Sequence, residues 1–256
     1  MTVQNQRLHG VHCALEALRA GRREIHRLRV RADHKRSELG EVIALAESAG
    51  VPIADLDPGG PVPRDVGRTQ GVELEVGPIP EYPLEQLLST PPRGERRRLV
   101  LLDRVEDPQN VGSIIRVAEA AAADGLVMTQ RRAPPLGPAV ARASAGALEW
   151  LPVARVGNLS NSIKLLKNQG FWAIGADPKG PESVFALDDR FFAADLLFVL
   201  GAEGPGIREG VGRLLDHRVR IPLPGRVASL NVASAASLLL FEAARRECEK
   251  LPNPPS

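Results

Sequence analysis

The chain reads as an α/β protein: a carboxyl-terminal domain built on a mostly parallel sheet, preceded by a small α/β domain. Three observations predict this. From Leu99 onward, short apolar runs alternate with helical patterns, the rhythm of strands joined by crossover helices and covered on both faces. Residues 77–98 hold five prolines and end in a basic cluster; prolines remove backbone donors and favour extended chain, so this stretch reads as a linker. Ahead of it, residues 1–76 alternate in the same way on a smaller scale.

The elements follow in order. Val11–Leu18 has helical spacing and is ended by Gly21, and Ile25–Val30 is a strand. Ser37–Ser48 is an amphipathic helix stopped by Gly50, with further strands at Val51–Ala54 and Gly71–Val76. Beyond the linker, strands are expected at Leu99–Leu102, Leu126–Thr129, Leu151–Val156, Phe171–Ala176, Leu196–Leu200 and Arg218–Ile221. Pro222, Pro224 and Gly225 then forbid regular structure. Val232, Ala235, Ala236, Leu239, Leu240 and Ala243 mark one buried face of a last helix over Asn231–Glu247.

Composition excludes several classes. Hydrophobic residues make up 43% and charged residues 25%, which is ordinary for a globular protein. No apolar run approaches the roughly 18 residues that cross a bilayer, so no membrane partner is expected. The amino terminus carries no signal-peptide pattern, and Cys13 and Cys248 have neither disulfide nor zinc spacing. These features fit a reducing cytoplasm. His9 and His12 stand three apart without a third ligand, so no metal is expected. The net charge of +2 hides an asymmetry: residues 1–36 hold nine Lys/Arg against three acids, a local +6, with four of the five histidines. That end suits a polyanion such as RNA; it equally fits a solvated arginine-rich face.

Three stretches carry polar groups on strand ends and helix starts. In the first, Leu101–Arg116, Asn110, Ser113 and Arg116 recur at three-residue intervals from the start of a helix. In the second, Leu196–Ile207, Gly201 follows an apolar run at the carboxyl end of a strand, where ligands of α/β sheets sit, and a glycine there lets backbone approach a ligand. Its glycine spacing, GAEGPG, is not that of the dinucleotide fingerprint, which argues against a nicotinamide enzyme. In the third, Ser229 and Asn231 open the last helix, either as simple caps or as a cradle for a polar ligand.

Taken in this order and spacing, the three stretches resemble the SpoU (TrmH) family of RNA ribose 2′-O-methyltransferases, the trefoil-knot methyltransferases. The matching residues are Asp107, Pro108, Asn110, Gly112, Ser113, Ile114 and Arg116; then Leu200, Gly201, Glu203 and Gly206; then Ile221, Pro222, Gly225, Ser229, Leu230, Asn231 and Val232. Leu8–Gly21 is similar to the start of the substrate-binding domain of the family's ribosomal-RNA guanosine branch. The resemblance implies an amino-terminal RNA-binding domain (1–76), the linker (77–98) and a trefoil-knotted methyltransferase domain (99–256) that works as a homodimer. It implies methyl transfer from S-adenosylmethionine, without metal, to a ribose 2′-hydroxyl of large-subunit ribosomal RNA. A transfer-RNA substrate is the alternative, although that branch typically lacks the amino-terminal domain; a non-catalytic RNA-binding assembly factor is another. Gly201, Ile221 and Leu230 are the implied cofactor contacts. Asn110, Arg116, Glu203, Ser229 and Asn231 are the implied catalytic set, with Glu203 as an anchor for Arg116 or the loop. A literal base role for Arg116 is chemically demanding, because guanidinium keeps its proton; charge stabilisation is the easier role. The family commonly has a serine where Ala233 stands, with Ser234 next to it. The stretch Arg142–Glu149 also matches and is expected to contact RNA or the dimer partner.

Overall fold

The computed structural model describes residues 5–31, 36–56 and 71–248, apart from the side chains of 36–38 and 248. The chain forms two compact units, Met1–Pro80 with Pro135–Trp150, and Glu81–Pro134 with Leu151–Ser256.

The first unit runs β1 (Gln6–His9), α1 (Val11–Ala20), β2 (Ile25–Val30), α2 (Arg36–Ser48), β3 (Ile53–Asp55) and β4 (Val72–Val76). The sheet order is β1-β4-β2-β3, with β4 antiparallel to both neighbours and β3 parallel to β2. Leu8, Leu74 and Leu28 lie side by side in register and are fully buried. Gly21 ends α1 in the left-handed region (φ 59°), its N–H donating to Ala17 O at 3.2 Å. The strand β1 carries no alternation long enough to be read from sequence; it exists because β4 supplies its ladder.

The second unit begins with α3 (Leu84–Ser89), β5 (Arg98–Asp103), α4 (Pro108–Ala120) and β6 (Gly125–Thr129). The stretch read as a linker therefore contains a helix, and Leu84 and Leu87 are buried in the core of this unit. The next segment, with α5 (Pro138–Ala143) and a helical turn at Ala147–Glu149, belongs to the first unit. Residues 135–150 thus group with the first unit, apart from the segments that flank them in sequence. Glu149 is buried and forms a two-pronged pair with buried Arg23, Nε–Oε2 2.9 Å and Nη2–Oε1 2.7 Å. Burial pushes the Glu149 carboxyl up and the Arg23 guanidinium down. Cys13, buried beside Ala141 O, has its thiol pushed up to about 11 by the same desolvation.

The remainder is β7 (Val153–Val156), α6 (Leu159–Asn168), β8 (Trp172–Ala176), β9 (Glu182–Ser183), α7 (Asp189–Phe192), β10 (Leu196–Gly201), α8 (Glu209–Gly212), β11 (His217–Arg220) and α9 (Val232–Cys248). With β5 and β6 these strands make a seven-stranded sheet, β7-β6-β5-β10-β8-β11-β9, in which every neighbouring pair is parallel. Alternate residues of the central strands feed the two faces. Leu99, Leu101, Leu197 and Val199 pack with α3, α6 and Phe171, while α4 and α9 pack on each other over β6 and β10. Burial on both faces explains why β5 and β10 are unbroken apolar runs.

Four of the nine basic residues of 1–36 are paired with acids inside the first unit. Arg29 pairs with Glu75 (3.0 Å) and Glu73, Arg7 lies 3.7 Å from Glu73, and Arg19 lies between Glu16 and Glu41. Arg23 is the buried partner of Glu149. Apart from Glu16, these acids come from β4, α2 and residue 149, outside residues 1–36. Asp33, His34 and Lys35 lie outside the described residues.

Candidate active site

All strands of the large sheet run parallel, so their carboxyl ends share one edge. At that edge β10 ends in Gly201 and turns through Ala202–Gly206, closed by Gly206 N donating to Ala202 O at 2.9 Å. Gly204 (φ 83°) and Gly206 (φ 68°) occupy the left-handed region that glycine enters without strain. Gly201 is required for a different reason from the one expected. A Cβ there would fall 2.2 Å from Gly206 C and 2.3 Å from Ile207 N, so the glycine admits the chain's own returning loop.

The prolines after β11 keep residues 221–231 irregular until Asn231 starts α9. Asn231 Oδ1 accepts from Ala233 N at 2.8 Å, a cap of the first turn. Its Nδ2 donates to Glu203 Oε1 (2.7 Å) and to Asn110 Oδ1 (2.8 Å). Asn110, in the first turn of α4, donates to the same Glu203 oxygen at 3.2 Å. Three residues separated widely in sequence thus form one polar cluster. Glu203 Oε2 has no hydrogen-bond partner among the described residues. Of the two anchors expected of Glu203, Arg116 or the loop, no tie to Arg116 is present among the described residues; Glu203 faces the two asparagines.

Between these loops lies a cavity of about 470 Å³. Gly201, Ile221 and Leu230, the implied cofactor contacts, all line it, as do Glu203, Ser229 and Asn231. Its apolar wall includes Leu223 and Val232, and Asp177 adds a second carboxylate. Asp177 was missed in the sequence; its position directly after the strand predicted at Phe171–Ala176 was the available signal. No lysine or arginine lines the cavity.

Arg116 stands apart. It is exposed on α4, lines no part of this cavity and makes no ion pair among the described residues. Two acids of the surrounding sequence are engaged elsewhere: Glu119 with Arg93 at 2.7 Å, and buried Asp103 with Arg208 at 2.6 Å. Six helical positions carry Arg116 about a third of a turn away from Asn110, which explains why one stripe serves two surfaces. Ala233 is buried and Ser234 exposed, and Ser234 does not line the cavity.

Residues 97–241 match the SpoU rRNA Methylase family, and the match holds all three motifs. A Bacillus subtilis protein named for the TrmH family of tRNA/rRNA methyltransferases is 33% identical over 253 residues, covering 96% of this chain and 98% of that protein. The AdoMet complex of the SpoU methyltransferase AviRb from Streptomyces viridochromogenes superposes with a TM-score of 0.78 at 27% identity, covering 95% of this chain and 91% of that one. An AdoMet-bound rRNA methyltransferase from Sinorhizobium meliloti gives 0.74 at 25% identity over 97% and 88% of the two chains. With its parallel seven-stranded sheet and its three motifs gathered at one sheet edge, the chain belongs to the SpoU rRNA methylase family of RNA methyltransferases.

Proposed function

We propose that the chain transfers a methyl group from S-adenosylmethionine to the ribose 2′-hydroxyl of a guanosine in large-subunit ribosomal RNA, as a cytoplasmic homodimer. One observation carries the reading: Gly201, Glu203, Ile221, Ser229, Leu230 and Asn231, from two separate motifs, converge on a single cavity. The cavity fits the cofactor. Its volume suits a ligand of that size, its walls are apolar, and its rim offers two carboxylates and no cation to a ligand bearing a sulfonium and an ammonium.

When bound, S-adenosylmethionine supplies the electrophilic methyl. The chain's own groups do the rest. Backbone at Gly201, Ile221 and Leu230 holds the ligand against the sheet edge. Asn110 and Asn231 fix the Glu203 carboxylate, whose Oε2 stays available to a ribose hydroxyl. Arg116 stabilises the charge that develops on the ribose oxygen and orients the neighbouring phosphate. Because Arg116 stands clear of the cavity on its own chain, it serves the cavity of a second subunit. The exposed Leu238 and Phe241 of α9, beside α4, support a dimer face there. Leu239, expected at that face, is buried in its own subunit. The ribosomal target is supported by the first unit, which the transfer-RNA branch typically lacks, and by a likeness to an rRNA methyltransferase that spans both units.

The test is twofold. Calorimetry of the purified chain with S-adenosylmethionine is expected to give saturable heat, with none from NAD. Labelled methyl groups are expected to enter unmodified large-subunit ribosomal RNA. Label entering transfer RNA alone would redirect the target, and heat without transfer would reduce the chain to a binding factor.

A further inference from the structure

The same sheet edge opens a second cavity, of about 550 Å³, by the ends of β5, β6 and β7. Paired strands β5 and β10, with Asp103 in register with Gly201, separate it from the first. Its wall includes Arg104, Arg131, Arg132 and Arg208, with Asn158 and Ser160, and no carboxylate. This inverts the composition of the first cavity, which has acids and no arginine.

The arginines are held or left unsatisfied in ways that a solvated face does not explain. Arg208 is anchored from behind: its backbone N–H and Nε donate to buried Asp103 at 2.8 and 2.6 Å. Both of its Nη groups remain without a partner among the described residues. Arg104 Nε is buried and has no hydrogen-bond partner among the described residues. Arg131 and Arg132 are exposed, and no ion pair among the described residues occupies either guanidinium. Arg104 (φ 60°) and Arg132 (φ 55°) sit in the left-handed backbone region just past two adjacent strands, a conformation that side chains other than glycine adopt at a cost. The first turn of α6, through Leu159 and Ser160, adds the positive end of a helix dipole. Like charges confined in one concavity repel; an anion with several oxygens relieves that repulsion, and guanidinium matches phosphate in two-pronged geometry.

We infer that this second cavity is a phosphate subsite that holds the RNA backbone next to the nucleotide being methylated. The inference rests on the reading above for its RNA, and it adds a site of which only Arg104 falls within the three motif stretches. Arg208 and Arg104 form its floor, and Arg131 and Arg132 its adjustable rim. The RNA strand then crosses the β5–β10 boundary, with phosphates over the arginines and the ribose toward the acidic cavity.

The test uses the full chain with the double substitution Arg131→Ser, Arg132→Asn; both side chains are exposed, and asparagine tolerates positive φ. The probe is a short single-stranded oligouridylate, titrated at several salt concentrations, with Arg190→Ser as a control for lost surface charge. The double variant is expected to bind roughly tenfold more weakly, with a log–log salt slope flatter by about 0.7 per lost phosphate contact. Affinity and slope equal to wild type, or a loss no greater per charge than that of the control, would overturn the inference. Saturation by inorganic pyrophosphate that leaves oligouridylate affinity untouched would assign the cavity to a free anion and overturn it equally. Calorimetric heat from S-adenosylmethionine is expected to be unchanged in the variant. Loss of that heat from the wild-type chain is the separate signature of failure of the underlying reading.

Discussion

Arg116 and Asn231 are the two residues whose chemistry is most exposed to test. A guanidinium that makes no ion pair among the described residues stays free to meet charge brought by another molecule. Arg116→Ala is expected to lower single-turnover methyl transfer by roughly 10²–10³-fold, the usual loss for one oxyanion-stabilising donor. S-adenosylmethionine affinity should stay within a few-fold, because Arg116 does not line the cavity. Near-normal turnover would make Arg116 a surface residue only. Asn231 has two jobs, carried by different atoms: Oδ1 caps α9, and Nδ2 holds Glu203 and Asn110. Serine at this position caps well but lacks the amide donor. Asn231→Ser is therefore expected to keep the urea midpoint near wild type while activity falls. Asn231→Ala should lose both, with a stability cost of about 1 kcal/mol. Equal loss of activity and stability in the serine variant would show that the cluster serves only to hold the fold.

Among the elements, α9 does the most. Its start closes the first cavity, its middle packs on α4 and β10, and its end clamps the segment around α7. At that end Glu242 accepts from Arg245 at 2.9 Å and from Arg246 at 2.7 Å. Arg246 also donates to Leu187 O (2.7 Å) and Phe185 O (2.9 Å), and stacks over the Phe192 ring at 4.3 Å. These bonds, those from Arg245 foremost, hold the Glu242 carboxyl below its ordinary value of 4.5. A carboxyl lowered in the folded state adds stability at pH values above the unfolded value. That stability is lost as pH falls through the folded value. Unfolding by urea is thus expected to become easier as pH drops from about 5 toward 3, and Glu242→Gln should flatten that part of the profile. An unchanged acid slope in Glu242→Gln would mean that the pair contributes nothing to the pH dependence.

For the whole molecule, the proposed dimer rests on Arg116 lining no part of the cofactor cavity of its own chain. Phe241 is 49% exposed and Leu238 38%, both on α9. Sedimentation at micromolar concentration is expected to give a species twice the 27.5 kDa chain mass. Phe241→Asp should shift it to monomer and abolish transfer while leaving cofactor heat. A fully active monomer would contradict the arrangement. The unit boundaries also constrain engineering: a chain cut at Arg96 would lose buried Leu84 and Leu87, and would leave Glu149 without buried Arg23.

Much of this was legible in the residues alone. Strand and helix positions followed from periodicity, because the central strands are buried on both faces and α1, α4 and α9 on one. The three motifs named the family, and each of Gly201, Glu203, Ile221, Ser229, Leu230 and Asn231 reached the cavity. What only the tertiary structure decided was which groups meet. The charge of residues 1–36 read as an RNA face or a solvated one; Arg7, Arg23 and Arg29 of it meet Glu73, Glu75 and Glu149 from elsewhere in the chain. Glu203 was expected to anchor Arg116 or the loop, and it is held by Asn110 and Asn231. The helix of residues 84–89 hid among prolines, and residues 135–150 joined the earlier unit, because burial and ion pairing depend on distance in space. Periodicity records only which side of an element is apolar; it carries no address for the partner on the other side.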